Sequence, residues 1–526
     1  MALKVYSTLT REENSFPKQP GETVTMYVCG PTVYKPSHIG HMVGPVIFDT
    51  VKRYLTYLGY KVTWVVNITD VDDKLIKRAA ELNTTVPALA ERMTADYFDC
   101  LKKLNVTGID HFPKATEHIG GMIGMITRLI EKGYAYPAAG DVYFDVSKDP
   151  DYGKLCNRDP EQLEAGSRIE VSDRKRNPGD FALWKGAKPG EPKEAIWESP
   201  WGPGRPGWHI ECSVMASKLL GDTLDIHGGG LDLQFPHHEN ELAQSESASG
   251  KDFARVWMHN GLLKMGTAKM AGSVGNVVNI ADLLHRQSPE TVRLLLLSTH
   301  YRSPIEYSED RLNEVAKSLE GFYRFFERFE RLTGQSFYAV KPFDSDDELP
   351  STPPEPVDER IGIMVRWKRF QERMDKDFNT GGAVGILHES LGTLNRFADR
   401  IEKDAADALK PQLEEAVRYL RTMGSILGLF WEAPHKRRLI DVNVEHNLVL
   451  ADSSAATRVQ ADPIIEGLMQ LLIDLRGNLR TEAKGAAKDN PLKTALFAQT
   501  DLIRKRLAEL GVTLEDRPAG TTWRVG

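Results

Sequence analysis

Two histidines three residues apart are the first candidates for chemistry in this chain of 526 residues. His38 and His41 stand in the stretch 31–41, which reads PTVYKPSHIGH. If a helix begins here, both imidazoles lie on one face of its first turn, and its free N–H groups attract phosphate. Ser37 can cap that helix, and Gly40 leaves room for a nucleotide to approach the backbone. A structural or metal-binding pair is the alternative, but the position after a strand favours phosphate.

A second candidate for phosphate binding is the segment 269–276, which reads KMAGSVGN. Lys269 is followed by small residues, among them Gly272, and this composition suits a loop around a triphosphate. A solvent-exposed turn is the alternative, and the segment taken alone favours it.

A third candidate group carries thiol, imidazole and carboxylate donors, the ligand types that zinc accepts in tetrahedral sites. Its members are Cys29, Cys212, His237 and Glu241. On a helix after Pro236, His237 and Glu241 are four residues apart and share one face. Spacing alone does not choose among neighbouring donors. The competing ligands are His227, His238 and Glu239.

The elements that must position these residues follow from the pattern of apolar side chains. A strand is predicted over 25–29, a turn-rich loop over 30–37, a helix over 38–58 and a second strand over 61–67. Such a β–loop–α–β unit implies a parallel sheet with its site at the carboxyl ends of the strands.

The β–α pattern is interrupted from about 110 to 205 by a segment with short strands and a loop rich in Pro, Gly and Trp. It resumes with strands over 223–230 and 255–261 and a helix after Phe235. The interrupting segment is therefore predicted to be an insertion between two halves of one sheet.

The remainder of the chain is predominantly helical in its apolar spacing. Helices are predicted over 311–333, 359–376, 382–403, 411–429, 463–480 and 500–510. Two linkers are predicted, an exposed acidic and proline-rich one over 343–357 and a second over 436–461.

Composition narrows the class of protein. Hydrophobic residues make up 41% of the chain and charged residues 27%, which is typical of a globular protein. A net charge of −7 argues against a DNA-coating protein, although a local basic face can still bind RNA. The four cysteines form no CxxC pair, and no leader or apolar run of membrane-spanning length is found. We predict a cytoplasmic protein.

Several strings, in one order along the chain, resemble the cysteinyl-tRNA synthetases, which are class I aminoacyl-tRNA synthetases. They are CGPTVY at 29–34, HIGH at 38–41, NITDVDDK at 67–74, GRPGWHIEC at 204–212, HGGG at 227–230, FPHHENE at 235–241, DKDFNT at 375–380, and LED followed by GTTWR at 514–524. The resemblance implies an α/β fold: a Rossmann-type catalytic domain with an insertion, an α-helical anticodon-binding bundle and a small C-terminal domain.

The resemblance also divides the chain. The implied parts are 1–110, the first half of the catalytic domain; 111–205, the connective insertion; 206–309, the second half with a KMSKS-type loop; 310–435, the helical tRNA-binding domain; 436–461, a linker; and 462–526, a small tRNA-recognition domain.

The implied function is ATP-dependent activation of L-cysteine to cysteinyl-adenylate and its transfer to tRNA-Cys by a monomer. One Zn²⁺ would be held by Cys29, Cys212, His237 and Glu241, and Mg²⁺ would accompany ATP. The resemblance assigns the amino-acid pocket to Gly30, Thr69 and Trp208. It assigns the ATP site to His38, Gly40, His41, Lys269 and Gly272, with His38, His41 and Lys269 as the catalytic residues.

One departure from the family pattern concerns the second phosphate loop. The family's loop reads Lys-Met-Ser-Lys-Ser, whereas this chain reads Lys-Met-Ala-Gly-Ser, so Gly272 stands where the second lysine is expected. Loss of one preorganised donor typically costs about 10²–10³ in rate. Either another cation compensates, Lys264 or a bound Mg²⁺, or activation is slow or lost.

Two rival functions remain open at this stage. One is a cysteine ligase that uses an acceptor other than tRNA, and the other is a non-catalytic tRNA-binding or cysteine-sensing protein, suggested by the altered loop. The long C-terminal part favours tRNA because its basic residues offer phosphate contacts. These are Arg476, Arg480, Lys484, Lys488, Arg504, Lys505 and Arg506.

Overall fold

A computed structural model of the protein describes most of the chain. The described residues are 2–157, 174–265, 268–269, 277–350, 358–404, 407–434, 463–485, 490–509, 512–517 and 520–525. The chain divides into two units, Met1–Glu432 and Ala433–Gly526.

The strands in the described part of the larger unit are mostly short, and they form four separate sheets. They are β1 Lys4–Ser7, β2 Glu12–Ser15, β3 Thr23–Val28, β4 Lys61–Val66, β5 Ala135–Ala138, β6 Asp141–Phe144, β7 Phe181–Gly186, β8 Gly204–Pro206, β9 Leu224–Gly230, β10 Ala254–Asn260, β11 Leu263–Met265, β12 Ala268–Lys269 and β13 Ile305–Tyr307.

The helices of the larger unit cover the central sheet and form a bundle after it. They are α1 Ile39–Tyr57, α2 Asp73–Glu81, α3 Val86–Lys103, α4 Ile119–Glu131, α5 Trp208–Leu220, α6 Glu239–Ser249, α7 Ile280–Arg286, α8 Pro289–Leu297, α9 Glu309–Thr333, α10 Asp358–Asp375, α11 Thr380–Asp404 and α12 Lys410–Leu427. Among the described helices, none has both the length and the apolar character needed to cross a bilayer.

The central sheet has the strand order β10-β9-β3-β4, and all three neighbouring pairs are parallel. Its strands are largely buried because helices cover both sides, which is typical of parallel sheets. The predicted parallel unit is therefore confirmed, with Thr23 paired to Lys61 and Val28 paired to Val66. The carboxyl ends of β3, β4, β9 and β10 meet at one edge.

The insertion forms its own antiparallel sheet, in the order β5-β6-β7-β8. Trp184 on β7 is fully buried beneath it and its ring lies 6.0 Å from that of Trp201. The prediction of short strands between the two halves of the main sheet is confirmed. The insertion ends at β8, which leads directly into α5 and thus into the site.

Helices α9 to α12 pack as a bundle around a core rich in phenylalanine. The predicted exposed linker over 343–357 is wrong at its beginning. Phe343 is buried, its N–H donates to the Thr422 hydroxyl at 2.9 Å, and the Arg418 guanidinium lies 4.0 Å from its ring centroid. Residues 351–357, and the whole of the second predicted linker, lie outside the described residues.

A buried arginine joins the catalytic part to the end of this bundle. Arg293 on α8 pairs with Asp49 on α1, and its Nε–H donates to the carbonyl of Leu427 at 2.8 Å. Its Nη1–H donates to the carbonyl of Leu104 at 2.9 Å. A single side chain therefore bonds the ends of α3 and α12 to α1.

Replacing Arg293 with methionine is expected to lower the free energy of unfolding by about 3 kcal/mol, because Asp49 and two carbonyls lose their buried donor. Arg53 still binds Asp49 at 2.7 Å, which keeps the loss at the low end of the usual range. The urea midpoint measures this change. Arg331→Met is the control, since Arg331 is exposed and 3.9 Å from Glu402. Equal midpoints for both variants would contradict the prediction.

In its described residues the smaller unit has two helices and one hairpin. They are α13 Pro463–Gly485, α14 Pro491–Glu509, β14 Val512–Arg517 and β15 Gly520–Val525. The hairpin pairs Val512 with Val525 in antiparallel register, and Ile473, Leu507 and Leu514 form the core.

Candidate active site

Four predicted metal ligands meet at the carboxyl edge of the central sheet. Cys29 directly follows β3, and its N–H donates to the carbonyl of Gly228 in β9 at 3.1 Å. Cys212 comes from α5, Glu241 from α6, and His237 from the turn before α6. The four donor atoms all lie within 4.8 Å of one another.

The closest donor pairs share one carboxylate oxygen. Glu241 Oε1 lies 3.2 Å from Cys29 Sγ and 2.9 Å from His237 Nε2. A tetrahedral zinc ion with bonds of roughly 2.0–2.3 Å needs its ligand atoms about 3.3–3.8 Å apart. The donor types and their separations therefore fit a zinc ion with little movement.

A single helix was predicted to carry His237 and Glu241 on one face, and the structure differs from this prediction. His237 belongs to a π-helical turn, Gln234–His238, and α6 begins only at Glu239. The two side chains nevertheless meet, because the π turn leads directly into the helix. The sequence spacing found the pair, but its local geometry is not that of one regular helix.

Of the three competing donors, two lie beside the cluster and one does not. His227 Nε2 lies 2.9 Å from Glu241 Oε2, and His238 Nδ1 lies 2.8 Å from His259 Nε2. With Cys29 and Glu241, these two histidines form a second group close enough to hold an ion. Glu239 points elsewhere: it accepts backbone N–H bonds from the insertion, including that of Cys156 at 2.7 Å.

Electrostatics favour one ionised thiol in this cluster. Burial works against ionisation of Cys212, but the hydrogen bond from Cys29 and the charge on His237 outweigh it, and the pKa of Cys212 falls to about 6. Burial, together with Cys212, raises the pKa of Cys29 well above its usual value. Cys212 is thus the more readily ionised of the two thiols in this cluster.

The three predicted pocket residues lie beside the four predicted metal ligands. Trp208, which is half-exposed, stacks on His237 with 4.1 Å between ring centroids. Thr69 is buried, and its hydroxyl donates to Glu211 at 2.9 Å. Gly30 follows Cys29 directly. All three lie at the same edge of the sheet.

Two further residues, which were not predicted, contact the predicted pocket residues Gly30 and Thr69. Asn67 accepts the N–H of Gly30 at 2.8 Å through its side-chain oxygen, and its amide lies 3.3 Å from the Thr69 hydroxyl. Glu211 is fully buried beside Cys212, and burial raises its pKa well above the usual value. Both stand inside strings that carry the family resemblance, which was the available signal.

The two histidines of the HIGH stretch lie where the first helix begins. His38 is the N-cap and α1 starts at Ile39, so the prediction that Ser37 caps the helix is wrong. The Ser37 N–H instead donates to Asp96 at 2.7 Å. The His38 and His41 rings stack with 3.6 Å between centroids.

Burial sets the protonation of this pair. It lowers the pKa of His41 to about 3, helped by His38, and together with Lys35 it lowers that of His38. His41 is therefore neutral through the physiological range. It can donate a hydrogen bond to phosphate without carrying a charge.

The second phosphate loop ends beside the same helix start. Lys269 belongs to β12, whereas Gly272 lies outside the described residues. After the loop, the carbonyl of Val278 accepts the N–H of Ile39 at 3.0 Å, and the N–H of Ile280 donates to the carbonyl of Ser37 at 3.1 Å. The chain thus returns directly to the HIGH stretch.

Comparison with known proteins places this fold. A family model described as the class I (C) tRNA synthetase catalytic domain matches residues 15–317, and a DALR domain model matches 369–431. A methionyl-tRNA synthetase of Mycobacterium tuberculosis shares the fold at a TM-score of 0.55 and 16% identity, over 77% of this chain and 89% of that one. A leucyl-tRNA synthetase of Agrobacterium radiobacter gives 0.56 and 12%, over 78% and 85%. Fold and site define a class I aminoacyl-tRNA synthetase.

Relatives of the whole chain are more specific. A cysteine--tRNA ligase of Syntrophobacter fumaroxidans is 42% identical over 100% of both chains. Another, of Alkalilimnicola ehrlichii, is 44% identical over 99% of each. The chain belongs to the cysteine--tRNA ligase family, and its substrates are ATP, cysteine and tRNA. The two rival functions are not favoured, because the similarity extends through the C-terminal part.

Proposed function

We propose that the residues at the carboxyl edge of the sheet divide the reaction among them. The cysteine carboxylate attacks the α-phosphate of ATP in line, the adenylate forms and pyrophosphate leaves. The cysteinyl group then passes to the terminal ribose of tRNA-Cys. Because the substrate supplies its own nucleophile, the protein contributes positioning and charge stabilisation more than proton transfer.

Selection of the thiol is assigned to the metal cluster. Zinc would be held by Cys29, Cys212, His237 and Glu241. Bound zinc would accept the thiolate of cysteine as a soft ligand, and the hydroxyl of serine is a much weaker ligand. The ring of Trp208 on His237 fixes that ligand and walls the pocket. A missing site-specific bond can cost a competitor about 10⁴ or more, which would let the enzyme reject serine without editing.

Contacts to ATP are assigned to both phosphate segments. His38 and His41 would donate hydrogen bonds to the phosphates from the start of α1, where the unpaired N–H groups of the helix add to the attraction. Gly40, Lys269 and Gly272 would complete the ATP site, and Mg²⁺ would accompany the nucleotide. The main support for this assignment is the stacked pair of His38 and His41 at the start of α1.

Recognition of tRNA-Cys is assigned to the helical bundle and the smaller unit. Arg480 is half-buried, while Lys484, Arg504, Lys505 and Arg506 have exposed side chains. These residues supply cations for phosphate contacts. Arg476 is buried and is removed from the predicted set. Lys488 lies outside the described residues. The six-part domain division, the monomeric state and the cytoplasmic location stay predictions.

The test of this assignment is cysteine-dependent exchange of ³²P-pyrophosphate into ATP. We expect exchange with cysteine, a rate with serine lower by about 10⁴, loss of exchange when a chelator removes the metal, and recovery on adding Zn²⁺. The zinc content of the protein, measured in parallel, should approach one ion per chain. Full exchange by protein shown to be free of metal would refute the role of the cluster.

A further inference from the structure

The altered loop leaves a shortage of positive charge in the activation step. Cleavage of the bond between the α-phosphorus and its bridging oxygen places negative charge on the departing pyrophosphate. The family's loop offers two lysines there, and this chain has Lys269 and Gly272. A preorganised cation at such a position is typically worth about 10²–10³ in rate.

A small sheet at the base of the loop brings a second lysine next to the first. β11 and β12 are antiparallel, with Lys264 paired to Lys269 and Met265 paired to Ala268. Directly opposed positions in such a pair share one face, with about 4.5–5.5 Å between β carbons. The face that carries position 269 therefore also carries Lys264.

The backbone at Lys264 is firmly anchored. β11 runs parallel to β13, where Leu263 pairs with Ile305, and both side chains are buried. Gly261, just before β11, lies against the main chain of Ser303 so closely that a β carbon would come within 2.0 Å of its carbonyl oxygen. The strand is thus held at a fixed distance from the end of β10.

The side chain of Lys264 is exposed and available. Its neighbours in sequence, Leu263 and Met265, pack on the core, so Lys264 faces away from it. Glu306 is its register partner on β13, yet within the described part of the chain no carboxylate approaches the Lys264 ammonium to 4.0 Å.

We propose that Lys264 supplies the charge that the loop lacks at position 272. Its ammonium contacts the β- and γ-phosphates of ATP beside Lys269 and stabilises the pyrophosphate as it departs. The new bond joins the cysteine carboxylate oxygen to the α-phosphorus, the phosphorus bond to the bridging oxygen breaks, and the ammonium keeps its proton throughout. The proposal rests on the proposed function, which assigns Lys269 to ATP.

The experiment compares four variants by pyrophosphate exchange and by single-turnover adenylate formation. They are Lys264→Met, Gly272→Lys, the double variant Lys264→Met/Gly272→Lys, and the control Lys251→Met. Lys251 is an exposed lysine paired with Asp222 before β10, at the opposite end of that strand from the site.

Lys264→Met should lower the rate of adenylate formation by about 10²–10³, without changing the zinc content. Gly272→Lys alone should alter the rate less than about tenfold, since the charge is already present. The double variant should recover most of the loss, because the family's own lysine is then restored. A merely structural role for Lys264 would not be rescued by a lysine elsewhere.

Two outcomes would overturn the proposal. One is a Lys264→Met enzyme within about threefold of the parent, and the other is a double variant no faster than Lys264→Met. A fifth variant, Lys269→Met, distinguishes failure of this inference from failure of the assignment of Lys269 to ATP. If Lys269→Met leaves the rate unchanged, the assignment of Lys269 to ATP fails; if it slows the reaction while Lys264→Met does not, only the present inference fails.

Discussion

Replacing Cys212 with serine is expected to lower kcat/KM for cysteine by about 10⁴, because a serine hydroxyl is a poor zinc ligand and the metal-binding thiolate is lost. Cys212 is fully buried within α5, and its pKa of about 6 makes it the most readily ionised thiol in the cluster. Pyrophosphate exchange measures the loss of activity, and atomic absorption measures the loss of zinc. Both should fall together.

The matched control is Cys156→Ser. Cys156 is half-buried in the insertion, and its thiol contacts the carbonyl of Gly153 at 3.6 Å, away from the metal cluster. This variant should keep its zinc and its activity within about threefold. If Cys156→Ser lost as much activity as Cys212→Ser, the effect would be a general consequence of removing a thiol, and the ligand assignment would be wrong.

Two histidine variants then decide between the two donor groups. His237→Ala removes a ligand of the group with two thiols, whereas His238→Ala removes one of the group with His227. We expect His237→Ala to lose zinc. His238→Ala should keep it with affinity reduced about 10–100-fold, as for residues that only support a ligand. The reverse result would place the ion in the second group.

Much of the fold was predictable because the central strands are buried on both faces. The strands predicted over 25–29, 61–67, 223–230 and 255–261 are present, each within about two residues of its expected ends. β3, β4 and β10 are rich enough in apolar residues to be recognised. By contrast, β2 has four exposed residues and β11 only three in all, so neither carries a periodic pattern.

The site was predictable in its residue types and less so in its arrangement. The ligands come from four separate elements, and only the parallel register of β3 with β9 brings Cys29 to the level of His227 and Gly228. Register depends on packing across the whole sheet, which no local pattern contains. For the same reason, spacing alone could not distinguish Glu239 from Glu241, although Glu239 binds the insertion instead.

Replacing Gly30 with alanine is expected to lower the rate of cysteine-dependent exchange by a factor of at least about 10². A β carbon at this position would lie 1.8 Å from the carbonyl oxygen of Asn67 and 2.9 Å from a methyl group of Val66. Neither neighbour can give way, because β3 and β4 are paired up to Val28 and Val66. The end of β3 must therefore shift, and Cys29 shifts with it.

The same substitution elsewhere provides the control. Gly124 lies in α4, and a β carbon there meets nothing within 4 Å. Gly124→Ala should keep full activity and gain up to about 1 kcal/mol of stability from helix propensity. Gly30→Ala should lose exchange activity and zinc. A tRNA-binding curve that matches that of the parent protein would show that the rest of the molecule remains folded. An active Gly30→Ala enzyme would mean that the ends of β3 and β4 can separate without disturbing the predicted metal ligands. The close contact between Gly30 and Asn67 would then have no part in positioning Cys29.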